Sequence, residues 1–116
     1  MKKLLATVPL FLLLGACATN TPLHNKDKQT FTCEDGGKVS ASYSAEGDIA
    51  YLSVDLPKAN LNSKKLALTQ AVSGSGIRYI NDSNPNASYE WHTKADYGIM
   101  SVDWTDGKEY SVSCHL

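Results

Sequence analysis

From Thr30 to Leu116 the apolar residues of this chain fall at every second position in short runs, and each run is cut by residues that favour turns. Phe31 and Cys33 alternate before Glu34-Asp35-Gly36-Gly37, and Val39, Ala41 and Tyr43 before Glu46-Gly47-Asp48. Ile49–Val54 ends at Asp55, Pro57 and Asn60, and Leu66, Leu68 and Val72 lead into Ser73-Gly74-Ser75-Gly76. Ile77–Ile80 stops at Asn81–Asn86, Tyr89 and Trp91 form a sixth run, Met100, Val102 and Trp104 a seventh, and Tyr110, Val112 and Cys114 an eighth. A period of two puts alternate side chains on one face of a strand, so each run predicts a strand with one buried face. Short strands about 8 to 12 residues apart, separated by turns, argue an all-β sandwich or barrel. An open sheet this small would leave long unpaired edges, and closing it removes them. The expected fold is therefore a small eight-stranded antiparallel β-barrel. Only Lys58–Leu68 could be read as a helical turn.

The N-terminal segment follows different rules. Met1-Lys2-Lys3 is a basic start, and Leu4–Leu14 is an apolar run of signal-peptide length. A membrane-spanning helix needs roughly 20 apolar residues. The run closes on Leu14-Gly15-Ala16-Cys17, which resembles the bacterial lipoprotein box. That resemblance implies a signal peptide over 1–16, cleavage before Cys17, and lipid on its sulfur and its new amine. Each buried CH₂ contributes about 0.8 kcal/mol, so more than one acyl chain gives stable anchoring. By similarity to Gram-negative lipoproteins, Ala18 rather than Asp after the cysteine directs the protein to the outer membrane. Residues 17–29 are polar and without apolar period, and read as a tether. The folded domain is expected over 30–116.

Without residues 1–16 the chain has one domain's length. Lys2 and Lys3 leave with the leader, so 11 Lys+Arg become 9 against 12 Asp+Glu, a net charge of −3. A chain with no basic excess is a poor nucleic-acid binder. With Cys17 assigned to lipid, two of the three cysteines remain. In an exported protein the default for Cys33 and Cys114 is a disulfide, which here would join the first and last strands. A metal site would need ligands at short spacings, and His24, His92 and His115 show no such pattern. No cofactor is implied.

Ser75, His92 and an Asp could be drawn as a catalytic triad, but no Gly-x-Ser-x-Gly elbow accompanies them. Two other features stand out: Ser75-Gly76-Ile77-Arg78-Tyr79, a turn feeding a strand, and Trp91-His92-Thr93-Lys94, a strand ending in lysine. With Cys33-Glu34-Asp35-Gly36 and Cys114, these resemble the MliC-type family of inhibitors of C-type lysozyme. Ser75, Gly76 and Tyr79 match a Ser-Gly-x-x-Tyr hallmark, with Arg78 inside it. Trp91 and Lys94 match a second hallmark, in which Ala95 stands where the family has Gly, and Gly98 where it has Ala.

The resemblance implies an eight-stranded antiparallel barrel that inserts a loop into the lysozyme cleft, with C-type lysozyme as its protein partner. It assigns Lys94 to an ion pair with a catalytic carboxylate and Ser75 to a hydrogen bond there, with Gly76, Arg78, Tyr79 and Trp91 as supporting residues. Three rival readings remain. One is a structural or adhesive surface lipoprotein that inhibits nothing, which the departures at Ala95 and Gly98 would suit. Another is a small-ligand carrier, disfavoured because so small a barrel fills its interior with its own side chains. The third is a hydrolase built on Ser75.

Overall fold

A strand forms at each of the eight runs, with β4 starting ahead of Leu66 and ending before Val72: β1 Gln29–Cys33, β2 Lys38–Tyr43, β3 Ile49–Leu56, β4 Leu61–Ala71, β5 Ile77–Asn81, β6 Ala87–Lys94, β7 Tyr97–Trp104 and β8 Glu109–His115. The computed structural model describes residues 28–116. The expected leader over 1–16, Cys17 and the tether as far as Asp27 lie outside the described residues. Each strand pairs antiparallel with its neighbour in sequence, and β8 returns to β1 to close the barrel. The helical alternative at Lys58–Leu68 is not what forms. Pro57–Ala59 makes one 3₁₀ turn, stopped by Asn60 in the left-handed region, and β4 begins at the next residue. A register shift between Val54 and Leu56 accompanies a positive φ at Ser63, so one extra β4 residue bulges there and breaks the local alternation.

The period of two becomes burial. On β3, Ala50, Leu52, Val54 and Leu56 are buried, and on β7, Gly98, Met100 and Val102. The lumen is filled by side chains, with Trp91, Phe31, Leu56, Leu68 and Met100 among the largest fully buried ones. Trp91 is the central piece. Its ring meets Phe31 edge-on at 5.0 Å, and its indole N–H donates to the Tyr43 hydroxyl at 3.2 Å. Tyr43 lies 5.4 Å from Tyr79, whose hydroxyl donates to the Gly47 carbonyl at 2.8 Å. This chain of rings ties β1, β2, β5 and β6 to the β2–β3 turn. Such pairs contribute about 0.5–1.5 kcal/mol each beyond the area they bury. Burial raises the pKa of both Tyr43 and Tyr79, so both hydroxyls stay protonated, Tyr43 accepting from Trp91 and Tyr79 donating to Gly47.

The closing seam is short. β1 and β8 pair only at Thr32 with His115 and Cys33 with Cys114, and these two cysteines, 81 residues apart in sequence, form a disulfide. Two further links extend the seam into the β1–β2 turn. The Glu34 N–H donates to the Ser113 carbonyl at 2.9 Å, and the Tyr110 hydroxyl donates to an Asp35 carboxylate oxygen. The other Asp35 oxygen accepts from the Gly37 N–H at 2.8 Å, which fixes the carboxylate in its turn.

In the chain-entropy account, a bridge closing a loop this long stabilises by about 4.5 kcal/mol. The double variant Cys33→Ala, Cys114→Ala should lose about 2–5 kcal/mol in urea unfolding; an unchanged midpoint would show that the bridge constrains nothing. The bond to Asp35 pushes the Tyr110 pKa up to about 12 from its usual 10.0. The protonated phenol is the form the fold favours. Its contribution is therefore complete below pH 10 and is lost as pH rises through about 12. Ultraviolet titration, with Tyr110→Phe to identify the step, should find Tyr110 ionising last, and Asp35→Asn should return it toward 10. An ordinary value in the parent would mean the bond does not form in solution.

Candidate functional site

The β2–β3, β4–β5 and β6–β7 connections emerge at one end of their strands, and the β1–β2, β3–β4, β5–β6 and β7–β8 connections at the other. Both hallmark motifs end at the first of these. β5 and β6 pair with Ile77 opposite Thr93 and Arg78 opposite His92, and this register carries Gly76 alongside Lys94. The approach is close. A Cβ on Gly76 would lie 2.4 Å from the Thr93 carbonyl oxygen and 3.2 Å from the Lys94 Cβ. With φ at +65°, position 76 demands glycine both for its backbone and for lack of room. The consequence is that Ser75 and Lys94, 19 positions apart, share one exposed rim.

The Ser75 loop is held from beneath. His92 Nε2 lies 2.8 Å from the Ser75 carbonyl oxygen and 3.3 Å from the Ser73 hydroxyl. A carbonyl only accepts, so Nε2 carries the proton and donates. Ser73 donates its hydroxyl to the same carbonyl. The arrangement leaves the Ser75 hydroxyl without a hydrogen-bond partner among the described residues. His92 therefore meets the backbone of Ser75, not its hydroxyl, and that contact positions a loop rather than activating a nucleophile.

Arg78 holds the other end of the loop. Its guanidinium donates to the Val72 carbonyl at 3.2 Å and pairs with Glu90 across the strands at 3.2 Å. Tyr79 and Trp91 are core residues, 2% and 0% exposed. Lys94 is exposed and forms no salt bridge among the described residues, so its ammonium is available to a partner. Of the supporting motif residues, Arg78, Tyr79 and Trp91 thus lie behind the rim, while Gly76 lies on it with Ser75 and Lys94. Nothing in the sequence neighbourhood of His92 points to a carbonyl 17 positions away, so its hold on the loop is visible only in the structure.

An apolar collar surrounds the pair. Val72 opens the loop and is 91% exposed, and Ile77 follows Gly76. Tyr97 sits opposite Lys94, and the Leu116 N–H donates to the Asp96 carbonyl in the adjoining turn. Together with Tyr51 these are the exposed large hydrophobic residues among those described, and all but Tyr51 gather at this mouth. Exposed apolar groups concentrated in one place mark an interaction surface. No group of three or more potential metal ligands occurs among the described residues.

A family model described as membrane-bound lysozyme-inhibitor of c-type lysozyme, MliC, matches residues 31–112. That span contains both hallmark motifs and Cys33, and ends two residues before Cys114. No curated protein and no solved structure matches the chain.

The two departures from the second hallmark have opposite physical meanings. Ala95 and Asp96 form the two-residue turn between Lys94 and Tyr97, and Ala95 has φ +55°. A first turn residue in the left-handed region suits glycine, and a Cβ there costs about 1–2 kcal/mol. Gly98 is buried with the Trp91 ring against it, and an added Cβ would lie 2.5 Å from the ring. Ala95→Gly should therefore raise unfolding free energy by about 1 kcal/mol, while Gly98→Ala should lower it by about 1–3 kcal/mol. Urea unfolding of both variants checks the pair; the same sign for both would overturn this account.

Proposed function

The chain belongs to the MliC family of membrane-bound inhibitors of c-type lysozyme, and from that premise we propose that it blocks the lysozyme cleft with Lys94 and Ser75. The observation that carries the proposal is the seat of Gly76 on the Thr93–Lys94 backbone, which gathers a free ammonium and a free hydroxyl on one rim. Lysozyme cleaves its glycan with two carboxyl groups, one protonated and one ionised. An ammonium delivered between them pairs with the ionised group and favours the charged form of the other, which can then no longer give up a proton. The Ser75 hydroxyl can donate to a carboxylate at the same time. The collar of Val72, Ile77, Tyr97 and Leu116 supplies the apolar contact that keeps water from the ion pair.

Two further parts of the proposal concern the residues before the barrel. Residues 1–16 serve as a leader, and Cys17 carries lipid that holds the protein to a membrane, the outer membrane of a Gram-negative cell. The polar residues 17–28 then act as the tether, since Gln29, expected to belong to it, is the first residue of β1 and pairs with Ala41. Stationed there, the inhibitor shields its producer's cell wall from lysozyme secreted by a host. The rival reading, a surface lipoprotein without inhibitory action, drew on Ala95 and Gly98. Those residues leave the Lys94–Tyr97 hairpin paired and the rim assembled, which supports inhibition instead.

Clearing of bacterial cell walls by a C-type lysozyme tests the reading. The parent should inhibit stoichiometrically. Lys94→Ala should weaken binding by about 2–5 kcal/mol, the cost of leaving a buried charge unpaired. Ser75→Ala should weaken it less, by about 0.5–1.5 kcal/mol, and His92→Ala should weaken it through the loop while leaving thermal stability nearly unchanged. Inhibition that survives Lys94→Ala unaltered would remove Lys94 from the site, and no inhibition by folded, oxidised protein would remove the function.

A further inference from the structure

The opposite mouth of the barrel holds a second feature that the inhibitor reading does not use. There the 3₁₀ turn, through Lys58, Ala59 and Asn60, faces the β7–β8 turn, and between them lies a depression of about 500 Å³. Trp104 and Tyr110, on the inward faces of β7 and β8, form its aromatic wall. Asn60, Asp106 and Glu109 supply an amide and two carboxylates around it, with Lys58 and Lys108 at its sides.

Both walls are rigid. Asn60 is fixed in a left-handed conformation by its N–H bond to the Pro57 carbonyl at 3.0 Å. The β7–β8 turn is held by bonds from Trp104 N–H to the Lys108 carbonyl at 2.9 Å and from Gly107 N–H to the Trp104 carbonyl at 3.0 Å. One Asp106 oxygen accepts the Lys108 N–H at 3.0 Å, which orients the carboxylate. The Tyr110 hydroxyl is turned away to Asp35, leaving its ring as the surface. Among the described residues, neither the Trp104 indole N–H nor either carboxylate has a side-chain partner, and neither lysine is in a salt bridge. A preformed hollow with an aromatic wall and a few oriented polar groups is the form of a small-ligand site, and barrel mouths commonly hold one.

The lining selects the ligand class. Two lysines balance two carboxylates, so the site does not select a charged ligand. Aromatic faces take the apolar C–H face of a ring, while carboxylates and an amide beside them take hydroxyl and amide N–H groups at its edge. We infer that this mouth binds a neutral saccharide of a few rings, independently of the lysozyme-facing rim at the other end.

The test uses the full chain and tetra-N-acetylchitotetraose as probe. Trp91 is buried and Trp104 only partly so, which makes acrylamide quenching a reporter of Trp104. The sugar should protect tryptophan from acrylamide saturably. Asp106→Asn keeps the oxygen that caps Lys108 but loses the charge, and should weaken binding about tenfold. Trp104→Leu should abolish sugar binding measured by calorimetry, and Lys94→Ala should leave sugar binding as it is in the parent. No saturable protection at millimolar sugar, or equal binding by the parent and Asp106→Asn, would overturn the proposal. Because lysozyme is absent from the assay, its outcome is separate from that of the inhibition test.

Discussion

An antiparallel meander of eight short strands becomes a barrel only where its first strand meets its last, and in this protein that meeting is brief. Two residue pairs and a disulfide make the junction, and the carboxylate of Asp35 reaches across it to Tyr110. The other neighbouring strands are joined by local turns that hold them together even when pairing frays. The β1–β8 junction has no such turn, so covalent chemistry and a charge-assisted hydrogen bond take its place. Inside the closed wall, Trp91 can be surrounded on all sides by Phe31, Tyr43 and the bare backbone of Gly98. An open sheet would leave that indole half wet.

The two hallmark motifs divide along the same line between inside and outside. Tyr79 and Trp91 alternate inward and fix β5 and β6 to the core, while Arg78 and His92, on the other face, hold the loop between β4 and β5. Gly76 removes the one Cβ that would keep that loop from the end of β6. The polar residues at the tip then need no specific contacts of their own, and among the described residues their hydroxyl and ammonium have none. The cost of ordering the loop is thus met by contacts within the fold itself.

Much of this was legible in the residues because a period of two is a local signal and burial follows from it directly. The eight runs correspond to the eight strands, and the pairing of Cys33 with Cys114 followed from counting cysteines. The segment after Pro57 read ambiguously because a β-bulge at Ser63 displaces its apolar residues from strict alternation. Contacts between distant positions left no local trace. Nothing near Gly98 announces an indole seven positions earlier across a hairpin, nothing near Asp35 announces a phenol at 110, and His92 gives no sign of the Ser75 carbonyl. The meaning of Ala95 also needed the backbone, since only a positive φ turns a missing glycine into strain.

Strand order in this barrel is strand order in the sequence, and that has a kinetic meaning. Seven of the eight pairings are hairpins that a chain can form by searching only its immediate surroundings, and such local contacts keep contact order low. The eighth must bring together residues 81 positions apart, and it is also the one with the least backbone pairing. The entropy of closing that loop grows only with the logarithm of its length, but its reward arrives late, after the curved sheet has already brought the two edges together. Ring closure is thus the natural final event of folding, and oxidation of the cysteine pair turns a briefly visited contact into a lasting one.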